Sequence, residues 1–262
     1  VPRWLARLAR DSAPATAGIV VMLAVWQIAT VAGDIPMWLL PSPKAILVAT
    51  WDSGLSLVRH TGITLYETAV GFVLAVVVGI PLAALLVSSE LIWRTLYPIV
   101  AAVQSIPKTA IAPLLLVWLG TGEMPKVIIA FLIAFFPIVV NTATGMTLVE
   151  RDLLHLVRSL SATKAQTFWH IRLPNALPYI FSAAKVAVTL AVVGAVIGEF
   201  VGADAGLGYV ILVASSQLKT DVAFVAILLL AVLGMLLFWA VSLLERLVLP
   251  WCTQQHETIV QV

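Results

Sequence analysis

Residues 159–178 read SLSATKAQTFWHIRLPNALP and bring together a lysine, a histidine, an arginine, several hydroxyls and two aromatic rings. Elsewhere chemically capable groups stand apart. Glu67, Lys108, Lys185 and Glu199 are each isolated in apolar sequence. His60, His155, His170 and His256 all fall outside the apolar runs, so no haem pair or buried metal cluster forms easily from them. The phosphate-binding pattern G-x-x-x-x-G-K-[ST] does not occur, and neither does the G-x-S-x-G nucleophile elbow. The single cysteine, Cys252, excludes an internal disulfide and an all-cysteine metal site, and reads as a packing residue. This inventory makes an intramembrane enzyme the weaker reading.

The elements that position these groups follow from composition. Of 262 residues, 61% are hydrophobic and 11% charged, against about 25% charged in ordinary soluble domains. With a mean hydropathy of +1.07, the chain cannot cover a water-facing surface and reads as an all-α integral membrane protein. A net charge of +2 with scattered basic residues gives no reason to expect nucleic acid.

Crossing the hydrocarbon core takes about 20 apolar residues. Six runs meet that length: 12–33, 68–89, 95–122, 127–149, 177–201 and 222–244. They are long and lack period-two alternation, so they are helices and not barrel strands. The first is too long for a signal peptide and five more follow it. A start at Val1 without methionine suggests a processed or differently started chain.

With the N-terminus inside, the inner flanks hold Arg3, Arg7, Arg10, Arg94, Arg151, Arg158, Lys164, Arg172 and Arg246. The outer flanks hold Lys44, Arg59, Lys126 and Lys219. That asymmetry puts both termini in the cytoplasm. Trp38, Trp93, Trp118 and Trp251 suit interfacial belts. The outer segment 34–60 carries Pro36, Pro41 and Pro43, then a short amphipathic helix near 44–51. The outer connection 202–221 reads as a partly inserted piece.

The polar stretch then falls on the cytoplasmic side between the fourth and fifth runs. Leu153, Leu156, Val157 and Leu160 share one helical stripe, expected to hold this piece to its own bundle. Thr163 and Gln166 have the spacing of a capping box that opens a second short helix, which Pro174 should end. Such a pair forms either a rigid knob that meets another protein or an interfacial helix on lipid headgroups.

The stretch resembles the cytoplasmic coupling loop, or EAA loop, of permease subunits of bacterial binding-protein-dependent ABC importers. The spacing matches from Ser161 to Pro174, ending in Ile171, Arg172, Leu173 and Pro174. His155, Leu156 and Val157 stand at the Glu-Ala-Ala positions and Ser161 at the Gly position. QSIPKTAIAPLLLVWLGTGE, FFPIVVNTATGM and GEFVGADAGLGYVI resemble span signatures of the nitrate, sulfonate and taurine permease group, which also includes carriers of pyrimidine vitamin precursors and riboflavin.

The resemblance implies one transmembrane domain over 1–262, type I importer-like, with a coupling loop at about 150–175. It implies a multi-pass protein of the bacterial inner membrane, paired with a second permease copy as a homodimer. Two ATPase subunits carrying ATP and Mg would bind below and an extracytoplasmic solute-binding protein above. No cofactor is expected on this chain, and no enzyme activity. His155, Arg158, Ser161, Lys164, Thr167, Phe168, Arg172 and Pro174 become the ATPase-coupling residues.

Gln104, Lys108, Asn141 and Glu199 are candidates for the translocation path, because lipid does not tolerate them. Lys108 lies between Pro107 and Pro113; it lines the path or neutralises Glu67 or Glu199. Gly194, Gly198 and Gly202, spaced by four, form a small-residue stripe for helix packing, or a hinge. The alternative class is a secondary transporter not coupled to an ATPase.

Overall fold

A computed structural model describes residues 3–250; Trp251, Cys252 and His256 lie outside them. The described chain is helical: α1 (Arg3–Ala32), α2 (Pro43–Ser88), α3 (Glu90–Gln104), α4 (Lys108–Leu119), α5 (Glu123–Thr147), α6 (Arg151–Ser159), α7 (Lys164–Thr167), α8 (Leu173–Gly202), α9 (Leu207–Ser216) and α10 (Thr220–Val248). A π turn, Phe168–Arg172, joins α7 to α8.

Four of these are long and apolar enough to cross a membrane, and the bent pair α3–α4 makes five. The described apolar part of α1 is the shorter Thr16–Ala32. The six sequence runs therefore each have a helical counterpart, with two differences in detail. The short helix expected near 44–51 is continuous with the second span, as one 46-residue helix. No proline falls between Pro43 and Pro81, so nothing stops it. The run 95–122 is divided by a bend of 88°. Pro107 sits there with extended backbone; it has no N–H to donate and disfavours helix at Ile106.

The chain divides into two compact units, one of residues up to 59 with 210–229, the other of 60–209 with residues from 230 onward. In the first, the end of α1 and the starts of α2 and α10 are tied together. Lys44 N–H donates to Gln27 Oε1 at 3.1 Å, Thr220 Oγ1 to the Trp38 carbonyl at 2.6 Å, and the Trp26 and Phe224 rings lie 6.0 Å apart.

In the second unit α5 and α8 form the centre. A Cβ on Gly194 would approach Ala130 and one on Gly145 would approach Tyr179, so these helices run antiparallel. Gly71 meets Ala130 and Gly79 meets Ile138, so α2 runs parallel to α5. Two parallel helices joined in sequence require a return between them. The α3–α4 pair supplies it and is therefore a broken span, not a loop that re-emerges on its starting side. Ala130, Ala134, Ile138, Ala187, Val188 and Ala191 fill the buried core between α5 and α8.

Candidate functional site

At the end of the bundle where α2 and α5 finish, α6, α7 and the π turn build a compact knob. Thr163 opens α7 with a capping box: its Oγ1 accepts from Gln166 N–H at 3.2 Å, and Gln166 Oε1 accepts from Thr163 N–H at 2.8 Å. Ser161 adopts φ +57. Left-handed backbone costs an ordinary residue about 1 kcal/mol or more, which is the physical reason for a glycine at this position of the resembled motif. Pro174 was expected to end the second knob helix. Instead the chain widens into the π turn, with Leu173 N–H bonded to the Phe168 carbonyl, and continues into α8 with Pro174 in its first turn. A proline there lacks only a donor the first turn can do without.

Arg172 Nη1 donates to the Val87 carbonyl at 3.1 Å, in the last turn of α2. A cation is favourable where a helix leaves its final carbonyls unpaired. Asn175 Nδ2 donates to the Gly145 carbonyl at 2.9 Å. These two bonds fasten the knob to α2 and α5. Phe168, expected on the outward face, packs against the buried Met146, Ala176 and Ile180. The exposed ring is its neighbour Trp169, 63% exposed and edge-on to Phe168 at 5.3 Å. A residue at the bundle-facing phase of a turn displaces the next one outward, and the aromatic pair alone could not say which was which.

The apolar stripe of α6 also differs from expectation. Leu153, Leu156 and Leu160 are exposed, whereas Leu154 and Val157 are half-buried. The knob therefore presents leucines outward together with His155, Ser161 and Lys164, all exposed. Thr167 is half-buried and Pro174 exposed. The Arg158 side chain lies outside the described residues. A groove of about 540 Å³ runs along the knob, lined among others by Val87, Ser88, Lys164, Phe168, Trp169 and Arg172.

The path candidates separate. Gln104 and Asn141 are exposed and Lys108 half-buried. Lys108 Nζ donates to the Gln104 carbonyl across the helix break and stands 4.8 Å from the Phe136 ring centroid. Its partners are a carbonyl freed by the break and an aromatic face, so the reading that it neutralises Glu67 or Glu199 is corrected.

Glu67 pairs instead with Lys126, Nζ to Oε1 at 2.6 Å, both side chains almost wholly inside the protein. Lys126 had read as an outer-flank lysine. Only its position at the start of α5, beside Glu67 of α2, reveals the pairing; the isolated Glu67 was the available signal.

Glu199 is also removed from an open path: it has no exposed surface. Its carboxylate accepts from Thr64 Oγ1 at 2.6 Å and from Gly208 N–H at 2.5 Å. Thr64 Oγ1 accepts in turn from Leu207 N–H at 2.8 Å, and His60 Nδ1 accepts from Gly206 N–H at 3.0 Å. A buried carboxylate needs donors, and the open amides at the start of α9 provide them.

All three glycines of the stripe stand against close neighbours. A Cβ on Gly194 would lie 2.6 Å from Ala130 Cα, one on Gly198 2.8 Å from Lys126 Cα, and one on Gly202 2.6 Å from Leu116 Cδ1. The first two let α8 touch the backbone of α5, and the third meets α4.

A helical bundle with a fastened outward knob, a broken span and a buried ion pair fits a membrane transport subunit. Residues 75–250 match the family described as "Binding-protein-dependent transport system inner membrane component", and the chain belongs to it. It is 37% identical over 235 residues to the formylaminopyrimidine transport permease protein ThiX of Halalkalibacterium halodurans, covering 89% of this chain and 94% of that protein. It is 33% identical over 250 residues to the nitrate import permease protein NrtB of a Synechocystis strain, covering 90% and 89% respectively. A chain from an inward-facing structure of the MetNI methionine ABC transporter superposes with a TM-score of 0.65 at 25% identity, over 75% of this chain and 98% of that one. The protein is thus a permease subunit of an ABC importer in the inner membrane, and the secondary-transporter alternative is set aside.

Proposed function

We propose that two copies of this chain form the translocation path for a small solute delivered by an extracytoplasmic binding protein. Two partner ATPases, carrying ATP and Mg, dock on the knobs. The observation that carries this reading is the knob itself: anchored on α2 and α5 by Arg172 and Asn175, yet exposing Leu153, Leu156, Leu160, Lys164 and Trp169. Apolar and aromatic groups ringed by polar ones suit a protein partner. His155, Arg158, Ser161 and Thr167 belong to the same segment and complete the docking face, with Phe168, Arg172 and Pro174 shaping it from beneath. The knob side is cytoplasmic on this reading, in keeping with the lysine and arginine asymmetry, and both termini share that side.

The test is copurification. Lys164→Glu combined with Trp169→Ala should reduce ATPase recovered with the tagged permease at least about tenfold, through lost anchoring and reversed charge. Undiminished recovery with normal ATP-driven uptake would defeat the docking assignment and the orientation drawn from it.

The solute reading is a small anion of the nitrate, sulfonate or taurine kind, supported by the half-buried ammonium of Lys108 at the helix break, bonded to the Gln104 carbonyl. The likeness to ThiX and to the riboflavin transport system permease protein RibX of Chloroflexus aurantiacus supports a second reading, a pyrimidine- or riboflavin-type vitamin precursor. Lys108→Met removes the charge and keeps most of the length. Because no carboxylate among the described residues pairs with Lys108, the variant should express and assemble normally. Uptake of an anionic solute should fall at least about tenfold, and unchanged uptake would remove Lys108 from the path.

A further inference from the structure

The first turn of α9 is held in an unusual way. Three successive amides, those of Gly206, Leu207 and Gly208, donate to three different side chains: His60 Nδ1, Thr64 Oγ1 and the Glu199 carboxylate. His60 and Thr64 are one turn apart on α2, and Glu199 lies near the end of α8. Glu199 also receives the Thr64 hydroxyl, so the three holders are coupled. Because Gly206 N–H donates to His60 Nδ1, that nitrogen carries no proton in this arrangement.

The sequence makes room for the contact. Gly206 has φ +119, and any Cβ there would overlap the Glu199 carboxylate. A Cβ on Gly208 would lie 2.7 Å from Glu199 Oε2. One turn beyond Thr64, Glu67 is engaged by Lys126, which leaves the α9 amides to Glu199. A helix N-terminus needs only a local Ser, Thr or Asp to cap it. Here two of the holders stand 146 and 143 positions away in sequence, on a different helix.

α2 and α8 both run without a break from this clamp to the knob. From Thr64 to Val87, whose carbonyl takes Arg172, is about 35 Å of continuous helix at 1.5 Å per residue. α8 joins the π turn of the knob at its other end. These helices give a continuous connection between the knob and the start of α9.

We infer that His60, Thr64 and Glu199 are positioning residues for transport: they bind the first turn of α9 to α2 and α8, so that knob movement and the far end of the bundle move together. This rests on the docking reading above. On this inference residues 206–208 lose their hold on α2 and α8 when the clamp opens, while the bundle itself stays folded.

The experiment uses the full permease with its copurified ATPase in lipid nanodiscs, and the binding protein as isolated. Thr64→Val keeps shape and removes the hydroxyl's bonds to the Glu199 carboxylate and from the Leu207 amide; Thr64→Ser restores them. In Thr64→Val, hydrogen exchange at amides 206–208 should accelerate at least about fivefold, the factor for one lost hydrogen bond. Stimulation of ATPase activity by the binding protein should fall severalfold at unchanged complex yield. Thr64→Ser should match the wild type in both. Should Thr64→Val fail to assemble, Glu199→Gln, which keeps an acceptor of the same size without the charge, is read in the same two ways.

Unaltered exchange in the assembled variant would overturn the clamp. Faster exchange with undiminished stimulation would overturn its role in transport. Failure of the wild-type permease to retain an ATPase would instead count against the docking reading, before any variant is compared.

Discussion

Lys126→Met is expected to be the most destabilising single substitution at the buried charges. It strips the ammonium from a pair closed at 2.6 Å, in which Glu67 has no exposed surface. Removing one partner of a buried pair leaves an uncompensated charge, at a cost of about 3–5 kcal/mol. The subunit should show a much lower thermal unfolding midpoint in detergent, read by the monodisperse fraction after heating. Adding Glu67→Gln should recover most of the loss, because the orphaned charge is gone. Equal stability of the single variant and the wild type would show that the pair contributes nothing. Lys108→Met supplies the contrast: it removes an equal charge that meets a carbonyl and a ring, and should leave stability near wild type.

Gly194→Val should be nearly as damaging, for a steric reason. Even the first carbon of the side chain would stand 2.6 Å from Ala130 Cα and 3.0 Å from Ala130 N. Neither atom can turn aside, so α8 must separate from α5 along the core that contains Ala187, Ala191 and Ala134. Overpacking typically costs about 1–3 kcal/mol, and a backbone neighbour puts this case at the upper end. Gly202→Ala tests the argument within the same stripe. Its close neighbour is the tip of Leu116, a side chain that can rotate, so the loss should be small. Yields of folded subunit after size-exclusion chromatography compare the two. A tolerated Gly194→Val, or an equally severe Gly202→Ala, would refute the assignment of the stripe to backbone contact.

What the sequence determined by itself is what depends on composition and local spacing. Apolar length required membrane helices, because lipid offers no partner to an open backbone. Thr163 and Gln166 specified a capping box, since both of its bonds close within four residues. Pro107 specified a break in the third run, because a missing N–H acts on its own turn. The order of motifs identified the family.

What tertiary structure decided are the pairings across helices. Glu67 takes Lys126 and not Lys108, because α2 runs parallel to α5 and brings the start of α5 beside it. Glu199 serves the amides of α9 because the chain turns back at Gly206. Phe168 faces inward and Trp169 outward because the π turn shifts the phase of the helix just where α8 begins. Charge and hydropathy carry no information about which distant residue arrives opposite; the direction and register of packed helices settle that, and those come from backbone contacts such as Gly194 on Ala130.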